Sequence, residues 1–529
     1  MIKSIPAQIV WFKRDLRLHD HEPLIRALEA GPVLPLYVIE PSILSAPDFD
    51  ASHYVFIRQS LRELREGLAD LGQPLIVRQG EAVQVLEELR VEGWVAGIWA
   101  HEETGNGVSY QRDRDVRAWA KTNRIPFCEI PSGGVVRRLK SRDNWIGIWQ
   151  SRMGREPLCA PKALPALPGM SIGDIPTYSE LGLIRSPRIV LQRGGERIAN
   201  SILDSFLQDR GLGYRYLLSN PAASAHACSR LSPYLAWGSL SLRQVYHSLR
   251  RRVENIEALA EPYSTEKWLR SLQGFEERLH WRDHFIQKLE DEPRIEFENF
   301  HRGYDGLREE EFDLEKFEAW KAGRTGYPMI DACMRSLTAT GWINFRMRAL
   351  LVSFASYSLW LHWREPALHL AKLFLDYEPG IHYSQFQMQS GTTGINTVRI
   401  YNPTKQARDR DAEGAFIRRW VPELESVPAE LLATPWLMSQ SESLRARCII
   451  GETYPAPIVD HDAAVKHAKS RIYEIRNRPE TQRLADEIRF KHGSRRPVFN
   501  GRLKETRWNG QLRMEFQEEG NVVLDANTR

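Results

Sequence analysis

The stretch from Trp320 to Pro403 reads WKAGRTGYPMIDACMRSLTATGWINFRMRALLVSFASYSLWLHWREPALHLAKLFLDYEPGIHYSQFQMQSGTTGINTVRIYNP. From Met329 onward its apolar residues, among them Ile330, Cys333, Leu337, Ala349, Leu350, Val352, Phe354 and Leu359, recur mostly at helical spacing, with few breakers before Pro366. The pattern predicts packed helices. Arg346 and Arg348 interrupt the apolar run, and Asp376, Glu378 and His382 follow on a turn containing glycine and proline. An unpaired charge in a low-dielectric core is very costly, so these guanidinium groups call for carboxylate partners. A functional site is expected here.

Upstream the periodicity changes. The apolar run Gln8 to Phe12 predicts a strand, followed by the charged turn Lys13 to Arg17 and a helix near Pro23 to Ala30. Val33 to Ile39, Pro74 to Arg78, Val95 to Ala100 and Pro126 to Glu129 continue as strands, with amphipathic helices over Tyr54 to Leu71 and Ala82 to Glu92. Strands alternating with helices give a parallel, doubly wound α/β sheet over residues 1–135. A Gly-x-Gly-x-x-Gly fingerprint after the first strand and a Gly-Lys-Ser/Thr loop are both missing, so this is no ordinary nucleotide-binding engine, and a ligand belongs at the carboxyl ends of the strands.

Prolines 157, 161, 165, 168, 176 and 187 exclude a long helix and predict a connector wrapping over the surface, assigned to residues 136–200. Residues 201–485 read as an all-α domain, and 486–529 as a basic tail in which Phe499 and Trp508 interleave with Arg and Lys. Such a tail suits either a solvated terminus or a nucleic-acid arm.

With 529 residues the chain exceeds one core. Lys+Arg 72 against Asp+Glu 68 makes it only mildly basic, so a polyanion site must be local. Five cysteines without a C-x-x-C pair argue against a zinc ribbon or disulfide framework and fit a reduced, cytoplasmic compartment. A signal peptide and a membrane span are not expected, and a monomer is. Tryptophan is the outlier at 16 residues, most simply as core anchors.

Several motifs, taken together and in order, resemble the photolyase/cryptochrome family: Trp11-Phe12-Lys13-Arg14-Asp15-Leu16-Arg17-Leu18-His19-Asp20, Gly194-Gly195-Glu196, Ser229-Arg230-Leu231-Ser232-Pro233-Tyr234-Leu235, Trp281-Arg282, Thr325-Gly326-Tyr327-Pro328, Thr340-Gly341-Trp342 and Ile400-Tyr401-Asn402-Pro403. The resemblance implies an antenna-type α/β domain, a connector and a helical domain holding FAD, with light-excited reduced FAD donating an electron that splits a pyrimidine dimer flipped out of UV-damaged DNA. It places Tyr216, Ser229, Arg230, Leu231 and Ser232 at the FAD phosphates and ribityl chain, and Arg282, Asp283, Glu378 and the Arg348 and Asp376 pair on the flavin side. Trp281 falls at the lesion-packing position, and Arg346 and Gln406 at DNA contacts.

The chain departs from the family pattern at several of these places. Arg278, after Glu277, stands where an active-site Glu is usual, Phe345 where Asn follows Trp342, and Met388 where a second lesion-stacking tryptophan often sits. His382 falls opposite flavin N5, where an imidazole could donate, accept or shuttle a proton. The electron-feeding tryptophan triad keeps only its middle member, Trp363; the flavin-side position is Phe386 and the outer one lies near Glu310. Trp342, Trp360, Trp237 and Tyr383 are the substitutes to consider. No cysteine grouping for an iron–sulfur cluster is recognisable, and no metal is expected. The antenna could be a deazaflavin, a folate near Gln111, a flavin or nothing. The leading expectation is a cyclobutane-dimer photolyase, with a light-sensing cryptochrome or a (6-4) photolyase as alternatives.

Overall fold

The structure, a computed structural model, describes residues 5–184, 188, 191–258 and 262–494. Five strands, β1 (Ala7–Phe12), β2 (Val33–Ile39), β3 (Ile76–Gln79), β4 (Val95–His101) and β5 (Phe127–Ile130), form one sheet in the order β3-β2-β1-β4-β5. Every pairing is parallel, with Val10 opposite Pro35 on β2 and Ile9 opposite Ile98 on β4. Side chains alternate along β1: Ile9 and Trp11 pack with Leu34, Ile76 and Leu86 on one face, while Val10 and Phe12 pack with Leu24, Leu61 and Leu64 on the other. Both faces are covered by helices, so the strands are mostly apolar, with polar residues such as Arg78, Gln79 and His101 confined to strand ends.

The sheet's strand order reverses between β1 and β4, and the carboxyl ends there face the rest of the chain. Just beyond them Arg14 crosses into the helical domain. Its guanidinium donates to Ala236 O at 2.9 Å and Tyr377 O at 2.6 Å, and lies 4.6 Å from the Trp237 ring. This contact fixes the helical domain against the sheet at the level of Asp376 to Glu378.

The described part of the segment 136–200 runs along the sheet domain. Leu164 N–H donates to Leu71 O at 2.6 Å and Val77 N–H to Ile172 O at 2.9 Å, so it follows the β3 edge. The span 136–200 also contains a helix, Trp145–Met153, whose Trp149 is fully buried, and it ends inside a second helix, Glu196–Gln208. Helices then continue to His492, and among the described residues no β-ladder forms in this half.

Helix Pro262–Asp291 packs against helix Pro379–Ser390, and the approach is close enough to require glycine. A Cβ on Gly380 would lie 2.5 Å from Ile286 Cα. The last helix, Pro479–His492, carries across position 486, where the basic tail was expected to begin, because Lys491 and His492 are held by Glu292 at 2.8 and 2.6 Å. Most of the tail, with Phe499 and Trp508, lies outside the described residues. Among the described residues no helix is long and apolar enough to cross a membrane.

Candidate functional site

A cavity of about 320 Å³ opens between helix Pro262–Asp291, helix Phe345–Ser353, helix Pro379–Ser390 and the segment Cys228–Ala236. One part of its wall is apolar, from Phe275, Leu279, Phe285, Ile343, Val352 and Ile381. Ser229, Ser232, Asn344, Arg348, Asp376 and His382 bring polar groups to the same space. An apolar pocket with a few convergent polar groups has the character of a small-molecule or cofactor site.

Arg348 and Asp376 meet as the resemblance implies, the guanidinium donating to both carboxylate oxygens at 3.1 and 2.8 Å. Asn344 starts the Arg348 helix, its Oδ1 accepting from Met347 N–H at 3.0 Å, and Arg348 Nε donates back to Ile343 O at 2.9 Å. Asp376 sits just before Pro379, which opens the next helix. Burial alone would raise the Asp376 pKa, but Arg348, the Ser232 hydroxyl and Arg230 outweigh it and hold the carboxyl below its ordinary value. The result is a fixed ion pair in the wall. Glu378 differs: burial raises its pKa against the pull of Arg14 and Arg282, whose guanidinium groups stand 3.8 and 3.5 Å away.

His382 lies within helix Pro379–Ser390 and not on the preceding turn. Its Nε2 is 2.8 Å from Ala367 O, and a carbonyl only accepts, so Nε2 carries the proton. Burial pushes the imidazole pKa down to about 4. The ring is therefore neutral near pH 7, and Nδ1 is an acceptor. Phe386, Tyr377 and Tyr383 surround it at centroid distances of 4.8, 5.2 and 5.4 Å.

Arg278 and Phe345 both line the cavity, the guanidinium 5.9 Å from the ring centroid. Arg278 also hydrogen-bonds the buried Tyr214 hydroxyl, whose pKa burial pushes up to about 12. Trp281 stacks on Phe285 at 5.6 Å and meets His284 edge-on at 5.2 Å. It lines the main cavity and also a smaller pocket with Arg142, Trp145 and His280.

Other expected positions fall elsewhere. Tyr216 is 53% exposed, and Tyr214, two residues earlier and on the opposite side of its helical turn, lines the cavity instead. Leu231 and Ser232 line it, but Arg230 lies behind the wall, stacked 4.0 Å from the Trp342 ring and bonded to Gln192. Arg282 lines the cavity, whereas Asp283 is fully buried away from it, accepting from Gly134 N–H and Trp149 Nε1 at 2.8 and 3.0 Å. Asp283 thus secures the connector.

On helix Pro379–Ser390 the inward positions are Ile381, His382, Gln385, Phe386 and Gln389, and Met388 is half-buried off that face. Phe345 and Arg348 point inward from their helix, while Arg346 is buried among its neighbours. Gln406 is 3% exposed, so it does not reach solvent as a DNA contact would need to.

Of the electron-transfer candidates, Trp342 lines the cavity; Tyr383 and Trp363 follow behind it, 6.4 Å apart. Trp363 is fully buried and donates to Asn299 Oδ1 at 2.8 Å. Trp360 packs instead with Arg308 at 4.5 Å and His467 at 5.1 Å, beside the carboxyl-terminal helices. Tyr377, Gln385 and Gln389 line the cavity without having been singled out from the sequence.

A second cavity, about 80 Å³, lies at the carboxyl ends of β1 and β2, lined by Tyr37, Glu40, Asp48, Asn106, Arg112 and Trp237. Nearby, Asp15, His21 and His101 form a buried group. Leu24 N–H donates to His21 Nδ1, so His21 Nε2 keeps its proton and gives it to Asp15 at 2.9 Å, with His101 Nδ1 on the same oxygen at 2.7 Å. Both histidines thus share one Asp15 oxygen, which ties the turn after β1 to the end of β4.

Comparison with known proteins now has a geometry to attach to. Residues 275–474 match the family described as the FAD binding domain of DNA photolyase, and residues 8–139 the family described as DNA photolyase. A cryptochrome DASH of Gloeobacter violaceus is 31% identical over 480 residues, spanning 86% of this chain and 94% of its own. A deoxyribodipyrimidine photo-lyase of Alkalihalophilus pseudofirmus is 28% identical over 493 residues, spanning 89% and 98%. Among solved structures, a bacterial class III photolyase from Agrobacterium tumefaciens superposes with a TM-score of 0.76 at 26% identity, covering 90% of this chain and 99% of its own. An archaeal photolyase from Sulfolobus tokodaii, solved with two FAD molecules, superposes with a TM-score of 0.72 at 28% identity, covering 88% and 100%.

Proposed function

The chain belongs to the photolyase/cryptochrome family, and from that premise we propose that it repairs cyclobutane pyrimidine dimers in DNA by blue light, using FAD in the helical-domain cavity. The observation that carries the reading is Trp281 on the cavity wall beside Arg278 and Phe345, an aromatic and cationic surface facing the same space as the Arg348 and Asp376 pair. The cavity suits FAD: apolar side chains for a planar ring system, the Ser229 and Ser232 hydroxyls for a polar chain, and a fixed guanidinium in the wall. When bound, reduced and excited, FAD supplies the electron that opens the cyclobutane ring.

The chain's own residues do the positioning. The Trp281 indole offers a flat face on which an extruded pyrimidine stacks. Arg278, held by Tyr214, presents a cation where a carboxyl group is usual in the family, so it favours negative charge arriving on the lesion. Arg348 stays paired with Asp376 and contributes oriented charge without reorganising. His382, its one proton on Ala367 O, accepts at Nδ1 and does not serve as an acid. That tautomer weakens the (6-4) reading, which needs an acidic histidine. A second chromophore, where one is carried, belongs in the cavity at the ends of β1 and β2.

Light sensing without repair is the second reading. It is favoured by Arg278 and Phe345, which remove the carboxyl and amide groups a repair site usually turns toward its lesion, and some relatives are named cryptochrome DASH. The deciding experiment reduces the bound FAD, adds an oligonucleotide carrying one cyclobutane thymine dimer, and follows recovery of thymine absorbance under blue light. Recovery that is lost in Trp281→Ala, with FAD retained, supports repair. Absence of recovery in the reduced, FAD-loaded wild type overturns it in favour of sensing.

A further inference from the structure

Two phenols and one carboxylate are buried together between the main cavity and the sheet, and the repair reading uses none of them. Tyr377 lines the cavity beside Asp376, and its hydroxyl donates to Asp48 Oδ2 at 2.5 Å. The Tyr383 hydroxyl reaches the same oxygen at 3.3 Å, and the two hydroxyl oxygens are 3.3 Å apart. Tyr377, Tyr383 and Asp48 are 5%, 1% and 2% exposed. Asp48 comes from the sheet domain, just before helix Ala51–Asp70, and Asn106 Nδ2 donates to each of its carboxylate oxygens at 3.0 Å.

A buried phenol bound to a carboxylate has a specific redox consequence. Burial, reinforced by Tyr383 and Asp48, raises the Tyr377 pKa well above its ordinary value, so the phenol keeps its proton at working pH. Removing one electron from it makes the hydroxyl a strong acid, and the acceptor already lies on the far side of the hydrogen bond. Passing the proton to Asp48 leaves a neutral phenoxyl and a neutral carboxylic acid where a buried anion stood. The interior favours that exchange, because the negative charge passes from Asp48 to the flavin with the electron and no cation is left on the buried phenol.

Beyond Tyr377 the aromatic rings continue: Tyr383 at a centroid distance of 6.5 Å, then Trp363 a further 6.4 Å on. Phe386 on the same wall is much harder to oxidise, and Trp281, Trp342 and Tyr214, which also line the cavity, lack among the described residues a buried carboxylate on their polar hydrogen of the kind Tyr377 has in Asp48. We propose that Tyr377, with Asp48 as its proton acceptor, is the proton-coupled electron donor that reduces light-excited oxidised flavin in this protein. This rests on the cavity holding FAD. In the step the Tyr377 O–H bond breaks, one electron passes to the excited flavin and the proton passes to Asp48 Oδ2. An electron drawn from Trp363 through Tyr383 then restores Tyr377, which takes its proton back from Asp48, and a thiol in solution refills the chain.

The experiment uses the full-length protein with its FAD content measured first. Oxidised protein is excited with blue light, without oxygen and with a thiol present, in H2O and in D2O, and transient absorption and electron paramagnetic resonance are recorded. The expected result is a neutral tyrosyl radical, flavin reduction slowed about two-fold or more in D2O, and a yield lowered about ten-fold in Tyr377→Phe and in Asp48→Asn at matched FAD occupancy. Photoreduction in FAD-loaded Tyr377→Phe equal to wild type overturns the proposal and leaves the FAD site standing. So does a wild type that forms no tyrosyl radical and has no solvent isotope effect, a result independent of how the variants fold. A wild type that binds no FAD overturns the functional reading itself.

Discussion

The Arg278 guanidinium stands 5.9 Å from the centroid of the Phe345 ring, so two positions at which the chain departs from its family's pattern face each other across one cavity. On the motif resemblance, a cation and an arene stand where a carboxyl and an amide are expected, and the pair attract each other through the ring quadrupole. The departures therefore form one altered surface. In a double-mutant cycle of Arg278→Ala and Phe345→Ala, affinity for a dimer-containing oligonucleotide is expected to show a coupling of about 1 kcal/mol, the second substitution costing less once the first is made. Titration by fluorescence anisotropy checks it; strictly additive losses would mean that the two side chains act separately.

The Arg348 and Asp376 pair invites the simplest cofactor test. In Asp376→Asn the amide cannot satisfy the fork, and a mostly buried guanidinium loses its counter-charge. Arg348 retains 25% side-chain exposure, so solvent offsets part of the loss and a destabilisation of about 2 kcal/mol is expected. FAD per chain should fall with it. A thermal melt alongside the flavin-to-protein absorbance ratio measures both, and Asp376→Glu, which keeps the charge, should recover part of each.

Much of this arrangement is legible in the chain itself. The strands announce themselves because both sheet faces are covered, which makes runs such as Val33 to Ile39 apolar throughout. Arg348 and Asp376 are legible because a charge inside an apolar helix demands a partner. Side-chain direction is less so. Tyr214 and Tyr216 differ only in which side of a short helix they occupy, and Asp283 and Arg282 diverge from adjacent positions on one helix. Motif order locates such segments but not their facing. The Asp48 contact is harder still, since it joins residues 329 apart and comes from a loop without a motif. Helix Trp145–Met153 was hidden among prolines and glycines, and its formation depends on burying Trp149 against Asp283 and His280.

Glu296 gives stability a pH dependence. Burial, then the charge of Asp48, raises its pKa from 4.5 to about 7, against opposition from the Gly107 N–H and Arg364. A carboxyl whose folded pKa is raised contributes its full stability below the unfolded value and loses it as pH rises through the folded one. The penalty therefore develops between 4.5 and about 7 and reaches at most about 3 kcal/mol. Glu296→Gln keeps an acceptor for Gly107 N–H but has no charge to expose. Denaturant unfolding at several pH values should give a flatter profile for Glu296→Gln, with its stability relative to wild type improving as pH rises from roughly 5 to 8. A parallel profile would assign the slope to other groups.

Gly380 tests whether the cavity depends on how closely two helices meet. A methyl group there would stand 2.5 Å from Ile286 Cα, and because the obstacle is backbone, no rotamer change relieves it. Helix Pro379–Ser390 must then move away from helix Pro262–Asp291, shifting His382 and Phe386 relative to Trp281 and Arg282. Gly380→Ala is expected to lower stability by about 2 kcal/mol despite alanine's better helix propensity, because overpacking outweighs a propensity gain of about 1 kcal/mol. The flavin spectrum separates this from a purely structural effect. If the two helices clasp the cofactor as proposed, the bound flavin should become less structured in its absorption and more fluorescent, whereas an unchanged spectrum in a destabilised protein would mean that the cavity tolerates the displacement.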